Sequence, residues 1–268
     1  MIKITELYIY PVKSLAGISM KKSELSQFGL QNDRRWVIVD KDGMFMSQRS
    51  TPKMATIKTV IENNQLSLSH DGKEIKVPIT TRRSKTMQIT VWNDSLKAQK
   101  ISPKIDKWLS EILGQSCHLV YMPEHTERQI GKDFAQDMQY VSFADAFPIL
   151  LVSQASIDDL NKRLEKPVNI NRFRPNIVVD GVAAFAEDSW NNFSINKIQY
   201  SMAKPCSRCI MPSINQEKGV QDNVKLLSVL KKYRKFDKKI KFGVNILYKD
   251  PSKVNNHSIS QGDAINLK

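Results

Sequence analysis

Between Lys3 and Ser102 turn chemistry interrupts the chain so often that only short strands fit between the stops. Trp36–Val39 and Met44–Met46 flank Asp40-Lys41-Asp42-Gly43, and Ile57–Ile61 and Leu66–Leu68 flank Asn63-Asn64. Asp71-Gly72 leads into Ile75–Val77, and Met87–Trp92 turns at Asn93-Asp94-Ser95 into Leu96–Ile101. Pro11 and Pro52 stop the runs beside them, the first of which is the strand-like Ile2–Tyr10. Apolar or alternating runs bounded by Asp, Asn and Gly read as strands joined by hairpins, so this part is a β-meander.

A helix follows. Ser102 is placed to cap it, Pro103 fits its first position, and Gly114 stands where a left-handed stop is wanted. Ile105, Trp108, Leu109, Ile112 and Leu113 fall on one face and are core packing. Residues 123–138 are polar and unpatterned, a connection or an active-site loop. Beyond them Phe147–Val152 reads as a buried strand, and Ser156 as the cap of a helix carrying Ile157, Leu160 and Leu164. Asn176–Val179, a hairpin of Phe193–Ile195 and Ile198–Tyr200, a helix from about Val224 to Lys235, and strands at Phe242–Tyr248 and Ala264–Leu267 complete the chain. The class is α+β and β-rich, with a boundary near residues 118–140.

Hydrophobic residues make up 41% of the 268, enough for real cores and against a disordered chain. Three cysteines do not make a disulfide framework, and the N-terminus has no signal-peptide pattern. No apolar stretch approaches the ~18–20 residues that span a bilayer. The expectation is a protein of the cytoplasm with no membrane partner. The net charge of +14 favours anionic partners, and from Lys225 to Lys241 eight basic residues stand against Asp237 alone. Charge of this kind also fits nucleic acid, but aromatic residues do not interleave with the basic clusters, and no helix-turn-helix, RNP or zinc-finger pattern is visible. A solvated lysine-rich face is the plainer reading.

The most informative segment is Lys204-Pro205-Cys206-Ser207-Arg208-Cys209-Ile210. Cysteines at this spacing point to a metal site, a redox pair or chance. A structural zinc site needs a second pair, and Cys117, His70, His118, His125 and His257 are not at ligand spacing from one another. A thioredoxin-like pair belongs in a βαβ unit that is absent here. What remains is a thiol beside cationic Arg208 and Lys204, an arrangement that favours the thiolate. Taken locally, Arg34 and Arg174 pair with acids such as Asp33 and Glu187, and Glu187 and Asp188 cap or brace a turn before Trp190. Cys117 reads as a core residue of a strand.

The ordered set of motifs is similar to the MOSC family. Pro205–Ile210 follows Arg172-Phe173-Arg174-Pro175-Asn176-Ile177-Val178 and Ala186-Glu187-Asp188-Ser189-Trp190. Tyr10-Pro11-Val12-Lys13-Ser14, Asn32-Asp33-Arg34-Arg35-Trp36, Ser47-Gln48-Arg49 and Phe143-Ala144-Asp145 resemble the β domain that accompanies MOSC in the subgroup of amidoxime-reducing proteins and bacterial proteins that detoxify N-hydroxylated bases. The resemblance runs from about residue 4 to 266. It implies a MOSC N-terminal β-barrel-like domain over 1–120 and a MOSC β-barrel domain with peripheral helices over 121–268.

For function it implies the molybdenum cofactor, with Cys209 as metal ligand and catalytic residue. Lys13, Ser14, Arg34, Arg174, Asn176, Ser207 and Arg208 match family positions that hold the pterin and its phosphate. The chemistry agrees, since Lys and Arg pair with phosphate through charge-assisted hydrogen bonds and a thiolate suits a soft metal. The implied reaction is two-electron reduction of the N–O bond in a small N-hydroxylated substrate. A plant-type iron–sulfur cluster takes four cysteines, and no Gly-x-Gly-x-x-Gly fingerprint is present. Electrons must therefore come from a separate donor protein, a flavoprotein reductase or small redox protein. The alternative is a cofactor-binding protein of the sulfurase C-terminal type without its own turnover. Two departures mark the chain: Met211-Pro212-Ser213-Ile214-Asn215 replaces the subgroup's threonines and Val-Asp, and Asn245 stands where the mitochondrial proteins have tyrosine.

Overall fold

The computed structural model describes residues 1–78, 84–135 and 139–268. Arg82 and Arg83 of one basic cluster, and residues 136–138 of the polar connection, lie outside the described residues. The chain is α+β and β-rich, as the turn spacing predicts. Its central sheet has the strand order Ile18–Met20, Lys3–Ile9, Ile177–Asp180, Ile149–Ser153, Lys239–Tyr248, Ile198–Ser207, Asn192–Ile195, Ile265–Leu267, with Lys235–Phe236 paired to one side. All pairs in it are antiparallel except Ile149–Ser153 with Ile177–Asp180, where a helix makes the crossover. The N-terminal strand thus lies against a C-terminal one, Leu7 opposite Ile177. A second, four-stranded sheet (Trp36–Asp40, Cys117–Tyr121, Asp94–Lys100, Thr86–Val91) and a three-stranded meander (Lys58–Glu62, Gln65–His70, Lys73–Lys76) hold most of the first half.

Alternation along the central strands gives the sheet two buried faces. Leu151, Ile177 and Val179 enter one core with Ile4, Leu7, Val244 and Ile246, while Val152 and Val178 enter another beneath the helices. The helices on that face are α2 (Gln154–Lys162), contributing Ile157 and Leu160, and α3 (Leu226–Tyr233), contributing Leu226 and Leu230. The Phe173 and Phe242 rings stack there with centroids 4.0 Å apart. In the first half α1 (Pro103–Leu113) packs Ile105 and Leu109 onto a third core with Cys117, buried as expected. Ser102 accepts from the Lys104 N–H, and Gly114 takes φ 71 to send its N–H back to the Ser110 carbonyl. A cap of this kind contributes about 1 kcal/mol.

Two expectations are corrected. Ser153, not Ser156, caps α2: it ends the preceding strand in an extended conformation, and its hydroxyl accepts from Ser156 N–H. Ser156 lies inside the helix and donates to the buried Glu187 at 2.9 Å. The strand expected to end at Tyr200 instead runs to Ser207, through Pro205 and Cys206. It tolerates them because its pairing with Lys239–Tyr248 slips twice, between Met202 and Lys204 and between Pro205 and Ser207. Bulges bend a strand and spare proline a ladder hydrogen bond. Opposite the second slip Gly243 sits at φ 72, where a Cβ would come within 2.6 Å of Val152 Cγ2. The bend delivers Ser207-Arg208-Cys209 to the sheet's end.

Candidate functional site

That end of the sheet faces the segment following the N-terminal strand, and a pocket of about 130 Å3 lies between them. All eight residues singled out from the sequence line it: Lys13, Ser14, Arg34, Arg174, Asn176, Ser207, Arg208 and Cys209. Ser14, Arg34 and Arg174 hold left-handed backbone conformations, with φ of 69, 51 and 56. A non-glycine residue there costs on the order of 1 kcal/mol or more, and such positions concentrate at functional sites. A larger cleft of about 720 Å3, between the loop after α2 and the start of α3, shares none of these residues.

The pocket is cationic. Lys13, Arg34, Arg49, Arg174 and Arg208 line it against one acid, Asp145. Arg34 is neutralised by the buried Asp33, donates to Asn176 Oδ1 at 3.1 Å and lies over the Tyr10 ring at 4.6 Å. Lys13 pairs with Asp145 and donates to the Phe143 carbonyl at 2.7 Å. Burial lowers its pKa to about 8, the Asp145 charge opposing that fall. Asp145, 62% exposed, is held below the usual carboxylate range because Lys13, then Arg49, outweigh the effect of its desolvation.

Arg174 differs from its neighbours. It is 8% exposed and stacks on Tyr10 at 4.1 Å, yet no carboxylate pairs with it among the described residues. Its Nη1 donates to Gln216 at 3.3 Å, and its Nη2 is buried with no acceptor. Burial lowers its pKa to about 10. Arg208 Nε is likewise buried without an acceptor. Glu187, the acid considered for Arg174, accepts instead from Ser153 N–H and Ser156 and braces α2. Two arginines that line one pocket and each carry a donor without an acceptor fit an anionic, acceptor-rich ligand.

The cysteines divide their cations differently from the sequence reading. Arg208 reaches Cys206, at 3.2 Å, and Lys204 lies over the Phe134 ring at 4.1 Å. Cys209 Sγ is approached by Arg49 Nη1 at 3.9 Å and the Met211 N–H at 3.5 Å. Arg49 is held over Trp92, ring centroid at 4.4 Å, and Trp92 donates to Asp145 at 3.2 Å. Arg49 and Asp145 were visible only as parts of motifs, and nothing near them in sequence marks Trp92. The Asn176 amide is engaged by Arg34, Leu150 N–H and the Tyr8 carbonyl, so it positions Arg34 from beneath the pocket. Ser207 accepts from Lys241 at 2.9 Å. Among the described residues no three His, Cys, Asp or Glu gather to hold a bare metal ion. A single exposed thiol suits a metal that arrives with other ligands.

Comparison with known proteins gives the family. The MOSC N-terminal beta barrel domain matches residues 1–116 and the MOSC domain residues 138–266. The chain belongs to the MOSC family. Mitochondrial amidoxime-reducing component 1 of Mus musculus is 33% identical to this MOSC protein, across 87% of the chain and 72% of that protein. Mitochondrial amidoxime reducing component 2 of Rattus norvegicus is 32% identical across 89% and 74%. Molybdenum cofactor sulfurase of Oryza sativa is 29% identical, covering 97% of the chain and 34% of its own length. Among solved structures, the YUAD protein of Bacillus subtilis aligns over 100% of the chain and 96% of its own, at 13% identity and a TM-score of 0.46. Among the described residues no helix is long and apolar enough to cross a membrane.

Proposed function

We propose that the chain binds the molybdenum cofactor in this pocket and reduces N-hydroxylated compounds with electrons from a separate donor protein. The observation that carries this reading is Arg174: a buried cation with an unmatched donor and no paired acid among the described residues, lining the same pocket as the exposed Cys209 thiol. Cys209 would ligate the metal, and Lys13, Arg174 and Arg208 would hold the phosphate and polar edges of the pterin. When bound, the cofactor supplies the two-electron redox chemistry. Overall, an N–OH group takes up two electrons and two protons, the N–O bond breaks, and N–H and water result.

The chain's own residues do the positioning. Tyr10 stacks against both Arg34 and Arg174, and Asp33 accepts from the Tyr10 N–H at 2.8 Å, so these arginines share one rigid base. Arg49 keeps positive charge beside the Cys209 sulfur, and Asp145 keeps a proton on Lys13 Nζ below pH 8. The names of the amidoxime-reducing relatives support the substrate class. The rice relative favours a second reading, cofactor binding without turnover, because this chain matches only a third of it. The test is protein purified from a host that makes the cofactor, assayed for conversion of an aromatic amidoxime to the amidine with reduced methyl viologen. Amidine formed in proportion to molybdenum content supports the reductase; full molybdenum without amidine supports the carrier.

A further inference from the structure

The basic run from Lys225 to Lys241 divides in space. Lys225 stands at the N-cap position of α3, Lys231 and Lys232 lie in its last turn, and Lys225 and Lys232 line the large cleft, which shares no lining residue with the pocket. Lys235, Lys238 and Lys239 belong instead to a tight hairpin in which Lys235 pairs with Ile240 and Phe236 with Lys239. Asp237 and Lys238 form its turn at φ 49 and 65. The hairpin is bonded directly to the cysteine segment: the Arg208 N–H donates to the Ile240 carbonyl at 2.8 Å, and Lys241 to Ser207 at 2.9 Å. Lys204 lies within electrostatic reach of Lys239 and Lys241. Ile210, next to Cys209, is 41% exposed, and Phe236 on the hairpin is 48% exposed. Among the described residues none of Lys204, Lys235, Lys238 and Lys239 has an ion-pair partner.

We propose that this hairpin face, with Lys204 and Ile210, is the docking surface for an acidic electron-transfer protein that feeds the Cys209 pocket. The proposal rests on the functional reading above and adds the partner's place and charge. Each N–O bond reduced consumes two electrons, so a one-electron donor docks twice per turnover and leaves oxidised each time. Repeated encounter favours a small contact steered by unpaired charge, with a few apolar side chains at its centre. The lysines and the exposed Phe236 and Ile210 have that composition. The backbone hydrogen bond from the Arg208 N–H to the Ile240 carbonyl places the face one residue from the thiol. The α3 lysines carry similar charge, but Lys225 and Lys232 line the separate large cleft.

Two triple variants with the same change in net charge separate local docking from the field of the whole protein. One is Lys235→Glu, Lys238→Glu, Lys239→Glu on the hairpin; the other is Lys225→Glu, Lys231→Glu, Lys232→Glu on the helix. An oxidised, acidic flavodoxin serves as probe, and its binding to immobilised holoprotein is measured at low and high salt. The hairpin variant is expected to lose roughly tenfold or more in affinity at low salt and the helix variant less than about threefold, with the difference vanishing at high salt. Equal losses, no loss, or no binding by the wild type overturns the proposal. So does a hairpin variant that loses duplex DNA binding more than flavodoxin binding. Amidoxime turnover with reduced methyl viologen is measured on the same samples and is expected to be unchanged in both variants. Its absence from the wild type would defeat the functional reading, while the binding measurement still decides the docking surface.

Discussion

Replacing Arg174 by Met should stabilise the protein without its cofactor and destabilise it with. Burial lowers the Arg174 pKa to about 10, a fall that corresponds to about 3 kcal/mol against the charged form. The folded value lies below the unfolded one, so this penalty on folding is fully present at neutral pH and lifts only as pH rises above 10. Met removes it while filling most of the space. Lost with the guanidinium are the stacking on Tyr10 at 4.1 Å and the 3.3 Å hydrogen bond to Gln216. Together these contribute about 2 kcal/mol. The net is a gain of about 1 kcal/mol, or ~2 °C in melting temperature for a chain of this size. With cofactor present the sign reverses, because the wild type gains a charge-assisted contact of about 1.5–3 kcal/mol, a tenfold or greater difference in affinity. The assay is calorimetry on protein from hosts that do and do not make the cofactor. A variant that melts ~2 °C below the wild type without cofactor would refute the claim that Arg174 is held for an absent anion.

Cys209→Ser should abolish amidoxime reduction and strip most of the metal, whereas Cys206→Ser, whose sulfur accepts from Arg208 at 3.2 Å, should keep both; activity and metal content check this. Lys13 has a folded pKa lowered to about 8 by burial, so its ammonium opposes folding below pH 8 and that opposition fades as pH rises. Stability without cofactor should therefore rise between pH 8 and 10 while pterin retention falls, and Lys13→Met should flatten both profiles. Glu187→Ala should cost about 2 kcal/mol by leaving Ser153 N–H and the Ser156 hydroxyl without their acceptor, and should spare activity per molybdenum; denaturant titration and turnover together exclude a catalytic role if so.

Local signals carried the elements whose ends are set by a single residue's chemistry. Ser102 and Gly114 bound α1 because capping is a matter of one hydroxyl and one positive φ. Ser156 was misplaced by three residues because two serines compete for the cap, and only the buried strand before Ser153 decides between them. The extension of the Ile198–Ser207 strand was hidden by Pro205, whose tolerance depends on a slip in pairing with residues far along the chain. Lys22–Ser26 pairs with Ser258–Ser260 from the other end of the chain, a contact no periodicity announces. In the site, charged and soft residues were legible as a set, but their pairing was not. Arg208 stood next to Cys209 in sequence and turned to Cys206, because a strand ending at a bulge points successive side chains apart. Arg49 reached Cys209 from the other half of the chain, guided by Trp92. The lysines from 225 to 241 made one run in sequence and two surfaces in space, since α3 ends at Tyr233 and a hairpin begins two residues later.

In the proposed function this pocket holds the molybdenum cofactor through Cys209 and its ring of cations. Elemental analysis coupled to pterin fluorescence decides this, on wild type and Cys209→Ser purified from a host that makes the cofactor. The account predicts about one molybdenum and one pterin per wild-type chain, with the metal falling sharply in the variant. Wild-type protein that carries neither, or a variant that retains metal in full, would contradict it.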